Sequence, residues 1–373
     1  MDFNLSKKHL LMQELFRQFA EKEVKPLAAE TDEKEAFPYS TVEKLGKYGM
    51  LGIPWSADSL SYIMCVEEMS KVCATTGVIV SAHTSLCAAP ISDWGTQEQK
   101  DRYLPNLTSG KWLGALGLTE AGAGTDAAGQ QTKAVLDGDN YILNGTKIFI
   151  TNADAAHVYI IIAMTDKSQG TRGLSAFIVE KDMPGFSIGK KEEKMGIRGS
   201  LTCELIMENC IVPKANLLGK EGEGFKVAMK TLDGGRIGIA AQALGIAQGA
   251  IDVTVDYVKE RKQFGKRISQ FQNTQFELAD MQTTVDAARL LTYRAACLKD
   301  AGKKYTSEAA MAKLFASEAA SDVARRCLQL FGGYGYIREY PIERMMRDAK
   351  ITELYEGTSE VQKMVIAAGM KVN

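Results

Sequence analysis

A carboxylate in a tight loop can serve as a general base when it faces a pocket. Glu356 has that form, in Tyr355-Glu-Gly-Thr-Ser-Glu360, with Gly357 removing bulk beside it and a helix start close behind. An acid there also gains ~0.3–1 kcal/mol from the helix dipole alone, so position leaves both readings open. Two glycine-rich loops carry the other candidate chemistry. In Leu118-Thr-Glu-Ala-Gly-Ala-Gly-Thr-Asp126, small residues let backbone N–H groups approach an anion or a polar ring edge, and Thr119 and Thr125 add hydroxyls. Gln329-Leu-Phe-Gly-Gly-Tyr-Gly-Tyr336 lies between helices, where a pyrophosphate could rest on exposed amides. An ordinary turn and a helix C-cap are the plain alternatives. Arg236, in Leu232-Asp-Gly-Gly-Arg-Ile-Gly238, heads a long helix and can pair with Asp233 or bind a phosphate. Arg261 and Lys262 close that helix, where cations suit the dipole. Lys190-Lys-Glu-Glu-Lys194 reads as a solvated turn.

Other chemistries lack their residues. No G-x-G-x-x-G follows a strand, so the nicotinamide-type fingerprint is missing, as is a P-loop. No H-E-x-x-H, and no paired Cys or His at ligand spacing, supports a metal site. No G-x-S-x-G elbow supports a hydrolase. With only His9, His83 and His157, chemistry needing several histidines has no place. Lys plus Arg total 45 against 46 Asp plus Glu, a balance that argues against a nucleic-acid or membrane-surface binder. The seven cysteines are scattered without C-x-x-C, as expected of buried free thiols in a reducing, cytoplasmic setting. Asp2, Lys7, Lys8 and Glu14 among apolar residues predict an amphipathic N-terminal helix rather than a signal peptide. The most apolar run, Val158 to Met164, falls far short of the ~20 residues a span needs.

The elements that must position these residues fall into three groups. The 373 residues allow two or three domains. Seven of eight prolines lie between Pro26 and Pro213, and none between Lys214 and Tyr340, as a bundle of long helices requires. Ile237, Ala241, Leu244, Ile251, Val255 and Val258 follow steps of four and three; Phe271, Leu278, Met281, Val285 and Ala288 repeat the stripe. Ser307 reads as the N-cap of a third helix, and Ser359 with Gln362 as a capping box opening a fourth. The middle holds short β-prone runs at 141–150, 158–164, 175–180 and 203–208, suggesting an antiparallel sandwich or barrel. Before it, 61–71 and 96–107 read as helices. The fold class is therefore α+β: an N-terminal helical domain (1–113), a middle β-barrel-like domain (114–224) and a C-terminal helical bundle (225–373).

Seven motifs in order, LTEAGAGTDAAGQQT, KIFITN, MGIRGS, LDGGRIGIAAQALGIAQGA, ERKQFGK, FGGYGYIREYPIERMMRDAKI and YEGTSE, together resemble the acyl-CoA dehydrogenase family over essentially the whole chain. The wording is most similar to its short-chain, butyryl-CoA-type members. The resemblance implies the C-terminal bundle has four helices, and it implies FAD. Leu116, Leu118, Thr119, Gly124 and Thr125 would meet the flavin ring, with Phe149 and Thr151 on its other side. Arg261, Phe264, Gln272 and the loop Gln329 to Gly333, including Gly332, would hold the pyrophosphate and adenosine of a flavin bound mainly by a neighbouring subunit; Thr358 and Glu360 belong to the same region. Thr125, Asp233, Arg236, Tyr355 and Gly357 would line the thioester and pantetheine. Glu356 would take the α-proton while the β-hydride passes to flavin N5, and electrons would go on to an electron-transfer flavoprotein. A cytoplasmic homotetramer, built as a dimer of dimers and working in fatty acid metabolism, is implied too, with no nucleic-acid or membrane partner.

Two internal features refine that expectation. Relatives acting on isovaleryl or very long chains carry the base on the helix beginning near Arg236, where this chain has Gly235. No Lys or Arg lies between Lys71 and Lys100, so a dicarboxylyl chain would lack a counter-ion and a short uncharged acyl group fits better. The sequence departs from the family after Gly52-Ile53-Pro54, where a handful of loop residues is missing; Ala121-Gly122 and Asn152-Ala-Asp are further departures. The alternatives are an acyl-CoA oxidase, or a non-catalytic acyl-CoA-binding relative.

Overall fold

The structure, a computed structural model, describes residues 4–372; Asp2 lies outside them. The N-terminal part is helical. Its principal elements are Lys7–Phe19, Ser59–Val72, Ala74–Trp94 and Gln97–Thr108, the last opened by a capping box from Thr96. The segment around Pro54 is a single helical turn, Ile53–Ser56. Asp58 ends it by accepting from Ser61 N at 2.7 Å, and Lys8 holds the same carboxylate at 3.0 Å.

Eight strands follow: β1 (Gly114–Gly117), β2 (Lys133–Asp137), β3 (Asn140–Ile150), β4 (Val158–Met164), β5 (Leu174–Glu180), β6 (Phe186–Lys191), β7 (Cys203–Pro213) and β8 (Leu217–Leu218). They run in the order β6-β7-β3-β2-β4-β5-β8, with β1 pairing parallel on β4. The expected barrel does not form. Among the described residues the sheet is open, with β6 and β8 at its ends. Its two halves meet through one pairing, Lys133 with Met164, so they lie as layers over a shared core that includes Tyr141, Leu143, Tyr159, Phe177 and Leu205. The other faces of β4 and β5 pack on helices through Ile160, Ile162, Ala176 and Ile178 against Cys87, Ile91 and Val227. Burial on both faces explains why Val158–Met164 is apolar throughout.

The C-terminal part has three long helices, Gly224–Glu260, Gln272–Asp300 and Thr306–Phe331, then Ile342–Ile351 and Ser359–Met370. The 37-residue helix Gly224–Glu260 is the shared wall of the molecule. It packs against Thr306–Phe331 on one side and the N-terminal helix Ser59–Val72 on another. The second contact is close: a methyl at Gly245 would lie 2.3 Å from Glu67 O, and one at Gly249 2.1 Å from Lys71 O. Two helices, Ala74–Trp94 and Gly224–Glu260, have the length and apolarity of a membrane span, but 94% and 83% of those stretches is buried against protein.

Three local expectations change. Helix 306–331 starts one residue before Ser307, with no side-chain cap. The last helix is capped by Thr358, which accepts from Val361 N, rather than by Ser359. Gln362 is thereby freed from a capping box and turns elsewhere. Six cysteines are buried, but Cys297 is exposed.

Candidate active site

The loop between the last two helices is wound tightly enough to force Glu356 to φ +54° and Gly357 to φ +91°. Left-handed backbone at a non-glycine residue costs on the order of 1–3 kcal/mol and gathers at functional sites. Phe149 (φ +59°) and Phe264 (φ +51°) share the feature. The loop is closed by Ser359 N donating to Glu353 O at 3.0 Å. Tyr355 anchors it to the long helix by donating to Gln242 Oε1, whose amide donates to Ala74 O at 2.9 Å.

Glu356 Oε2 is sealed from solvent and has no hydrogen-bond partner. It faces Gly235: a methyl there would sit 2.7 Å from Oε2 and 2.9 Å from Leu86 Cδ2. Burial pushes the Glu356 carboxyl up to about 7, against the charges of Arg236 and Lys313, which favour the anion. Of the two roles open to Arg236, the structure shows the pairing. Arg236 is only 4% exposed, and its Nη1 lies 2.8 Å from Asp233 Oδ1. Thr306 Oγ1 donates to the other Asp233 oxygen at 2.7 Å. Among the described residues, the Glu356 backbone N–H meets no protein acceptor.

The first glycine loop and the KIFITN segment are laced together. Ile148 N donates to Thr119 O at 2.8 Å. Lys147, fully buried, donates to Leu118 O at 3.1 Å, Glu120 Oε1 at 2.7 Å and Gln130 Oε1 at 2.7 Å. Glu120 in turn accepts from Gln131 N and Thr132 N. Leu116, Leu118 and Thr119 are therefore held beside Phe149 and Thr151, with Gly124 and Thr125 exposed on the loop beyond. The space beside Gly122 and Gly124 is empty to 4 Å, and Phe149 presents an exposed ring. An open, flat-sided edge lined by amides and an aromatic face fits an isoalloxazine ring.

A third group lies at the far end of the bundle. Arg261, Gln329, Gly332, Gly333 and Tyr334 line a cavity of about 590 Å³, with Arg261 stacked 5.3 Å over the Tyr334 ring. The space beside Gly332 and Gly333 is empty to 4 Å. Phe264 stands 93% exposed on the adjoining hairpin, and Gln272 starts the next helix. No hydrogen bond or ion pair among the described residues joins this group to the edge at 116–151. Thr358 and Glu360 lie at the start of the last helix, next to Glu356 rather than the third group.

Sequence reasoning gave three side chains no role at the site. Lys313 is fully buried and donates to Gly357 O at 2.7 Å; in Ala309-Ala-Met-Ala-Lys-Leu it reads as an ordinary solvated helix residue. Gln362 donates to Glu356 O at 3.1 Å and Gly357 O at 2.8 Å. Lys147 lay inside a quoted motif with no role attached. The helix-period pattern, which puts Lys313 on the apolar stripe with Ala309 and Ala316, was the available signal.

Residues 6–111, 115–210 and 222–371 match the N-terminal, middle and C-terminal domains of acyl-CoA dehydrogenases. A short-chain-specific acyl-CoA dehydrogenase of Clostridium acetobutylicum is 60% identical, covering 98% of this chain and 99% of that protein. The structure of butyryl-CoA dehydrogenase from Megasphaera elsdenii superposes with a TM-score of 0.98 at 50% identity, covering 99% and 100% of the two chains. A chain from a study of the electron-transferring flavoprotein of Acidaminococcus fermentans superposes at 0.99 with 54% identity, over the full length of both. This chain belongs to the acyl-CoA dehydrogenase family.

Proposed function

We propose that this protein is a short-chain acyl-CoA dehydrogenase, converting a short uncharged acyl thioester such as butyryl-CoA to the trans-2-enoyl thioester with Glu356 as the base. One observation carries the reading: a sealed carboxylate oxygen with no hydrogen-bond partner fills the space that Gly235 leaves on the long helix. A thioester α-proton is far less acidic than a carboxylic acid, so the base gains from a pKa near working pH. Burial supplies that rise, and Arg236 and Lys313 keep the anion accessible. The free N–H of Glu356 is available to the thioester oxygen, where it stabilises charge as the proton leaves.

FAD is the family's cofactor, and the open edge formed by 116–125 and 149–151 fits its ring. FAD, when bound, supplies the acceptor for the β-hydride. Leu116, Leu118, Thr119, Gly124, Thr125, Phe149 and Thr151 hold the ring, and Thr125, Asp233, Arg236, Tyr355 and Gly357 flank the substrate, with Arg236 acting by charge through its pair with Asp233. Electrons pass on to an electron-transfer flavoprotein. Arg261, Phe264, Gln272, Gln329, Gly332 and Gly333 serve the flavin of another subunit, which the separation of the third group supports; that sharing requires at least a second copy, and the family resemblance and the unpaired cysteines extend the proposal to a cytoplasmic homotetramer. The residues 1–113, 114–224 and 225–373 act as three units around the site, the last as a bundle of four helices with a short connecting one.

Anaerobic titration of the flavin spectrum with acyl-CoAs of increasing length tests cofactor, reaction and chain preference together. Bleaching by butyryl-CoA in the wild type and its loss in Glu356→Gln, with flavin content kept, is the expected result. Substantial reduction of the Glu356→Gln flavin by butyryl-CoA sinks the base assignment. Reoxidation by air as fast as by the flavoprotein acceptor makes the protein an oxidase, and inability to take up FAD makes it a binding relative.

A further inference from the structure

The backbone turn that presents Glu356 is held by two buried side chains from two different helices. Lys313, on helix 306–331, donates to Gly357 O at 2.7 Å, and Gln362, on helix 359–370, donates to both Glu356 O and Gly357 O. Both side chains are fully buried. Gln362 spends its amide donors on this turn while its own oxygen has no partner. A buried ammonium ordinarily sits against a carboxylate. Lys313 makes its hydrogen bond to a peptide carbonyl instead, and has the Glu356, Glu353 and Glu360 carboxylates as surrounding charges, opposed by Arg236.

We propose that Lys313 and Gln362 are positioning residues for the base: together they clamp the 356 and 357 carbonyls, hold the left-handed turn and seat the Glu356 carboxylate against Gly235. The clamp fixes the two peptide planes that follow Glu356, 356–357 and 357–358. Lys313 has a second effect that Gln362 lacks, since its charge favours the ionised base. The groups facing Glu356 are then Arg236, paired with Asp233, from the long helix; Lys313 from helix 306–331; Tyr62 from helix 59–72; and the neighbouring Tyr355. The inference rests on the reading of Glu356 as the base.

The split between the two residues makes the test. Stopped-flow flavin reduction by butyryl-CoA is measured against pH for the wild type, Lys313→Met, Lys313→Arg and Gln362→Leu. Lys313→Met is expected to slow reduction on the order of tenfold or more, and to move the acid-limb midpoint up by about one unit. Lys313→Arg should restore the midpoint. Gln362→Leu should slow reduction at an unmoved midpoint, and it decides the clamp if Lys313→Met does not fold. A second readout needs no turnover. In thermal unfolding, Lys313→Met should cost more in the wild-type background than in Glu356→Gln at pH 7.5, below the value of about 8 to which burial pushes the Lys313 ammonium, and the difference should shrink at pH 5, where Glu356 is protonated. An additive cycle at both pH values, or a wild-type rate and midpoint in Lys313→Met and Gln362→Leu, overturns the proposal. Should the wild type fail to be reduced by any acyl-CoA, the functional reading falls and the thermal cycle still decides Lys313.

Discussion

Glu356 and Gly235 have to be understood as one feature. The carboxylate fills the space a side chain at 235 would take, and both atoms that a methyl there would strike, Glu356 Oε2 and Leu86 Cδ2, are ends of flexible side chains. Gly235→Ala should therefore fold and hold flavin, yet slow flavin reduction by roughly ten- to a hundredfold as the base is pushed aside; an unchanged rate in rapid-mixing experiments rejects the packing argument. The raised pKa gives a second outcome. Below about pH 4.5 the carboxyl is neutral both folded and unfolded, and its burial costs no charge. As pH rises to 7 the unfolded chain ionises first, so this group's contribution to stability falls and stays low above 7. Glu356→Gln has no such loss, so its melting temperature should exceed the wild type's by more at pH 8 than at pH 5. Calorimetry at the two values checks the sign. The sequence made Glu356 and Gly235 legible because a motif and an absence marked them. For Lys313 the helix period signalled only burial, on a stripe with Ala309 and Ala316; that it meets the Gly357 carbonyl depends on tertiary packing, which the sequence does not display.

Strand β3 and the loop 118–126 form the element on which the flavin edge depends. Their tie is Lys147, whose ammonium burial pushes down to about 8 while Glu120 opposes the shift. Removing one partner of such a pair leaves the other charge buried, at a cost of about 3–5 kcal/mol. Lys147→Met should lower the melting temperature and weaken FAD retention, since the carbonyl of Leu118 and the Glu120 side chain lose their common donor. The pH midpoint of flavin reduction in the fraction that stays loaded should not move. Absorbance at the flavin band after dialysis, with a melting curve, reads both. Retained flavin at a lowered melting temperature would make the pair structural only. Strand periodicity revealed β3 because one of its faces is wet, whereas β4 and β5 showed only as apolar runs because helices cover them from outside. How the strands close is a matter of long-range pairing, and the single Lys133–Met164 link that replaces a barrel seam has no local sequence signature.

At the scale of the whole molecule, one chain does not bring its own candidate cofactor residues together. The edge at 116–151 and the cavity at Arg261 and Gln329–Gly333 share no hydrogen bond or ion pair among the described residues, and the segments that line the cavity also carry two rings outside it that this chain leaves in water, Phe264 at 93% and Tyr336 at 86% exposed. Under the proposed sharing of the flavin, a neighbouring copy would cover these rings. The order of domains was readable from proline and glycine punctuation, but this division came only through the family resemblance, because periodicity reports which face of a helix is buried and says nothing of which chain buries it. If the cavity serves the flavin of a neighbouring copy, binding and assembly are thermodynamically linked, and weakening one weakens the other. Arg261→Ala removes the guanidinium stacked on Tyr334 without touching Glu356 or the 116–151 edge. It should therefore lose flavin and dissociate in parallel, with added FAD restoring both at once. Flavin content and light-scattering mass, followed across a dilution series, give the comparison. A variant that stays assembled and keeps its flavin places the cofactor within a single chain; one that loses flavin while remaining assembled separates the two functions of this surface.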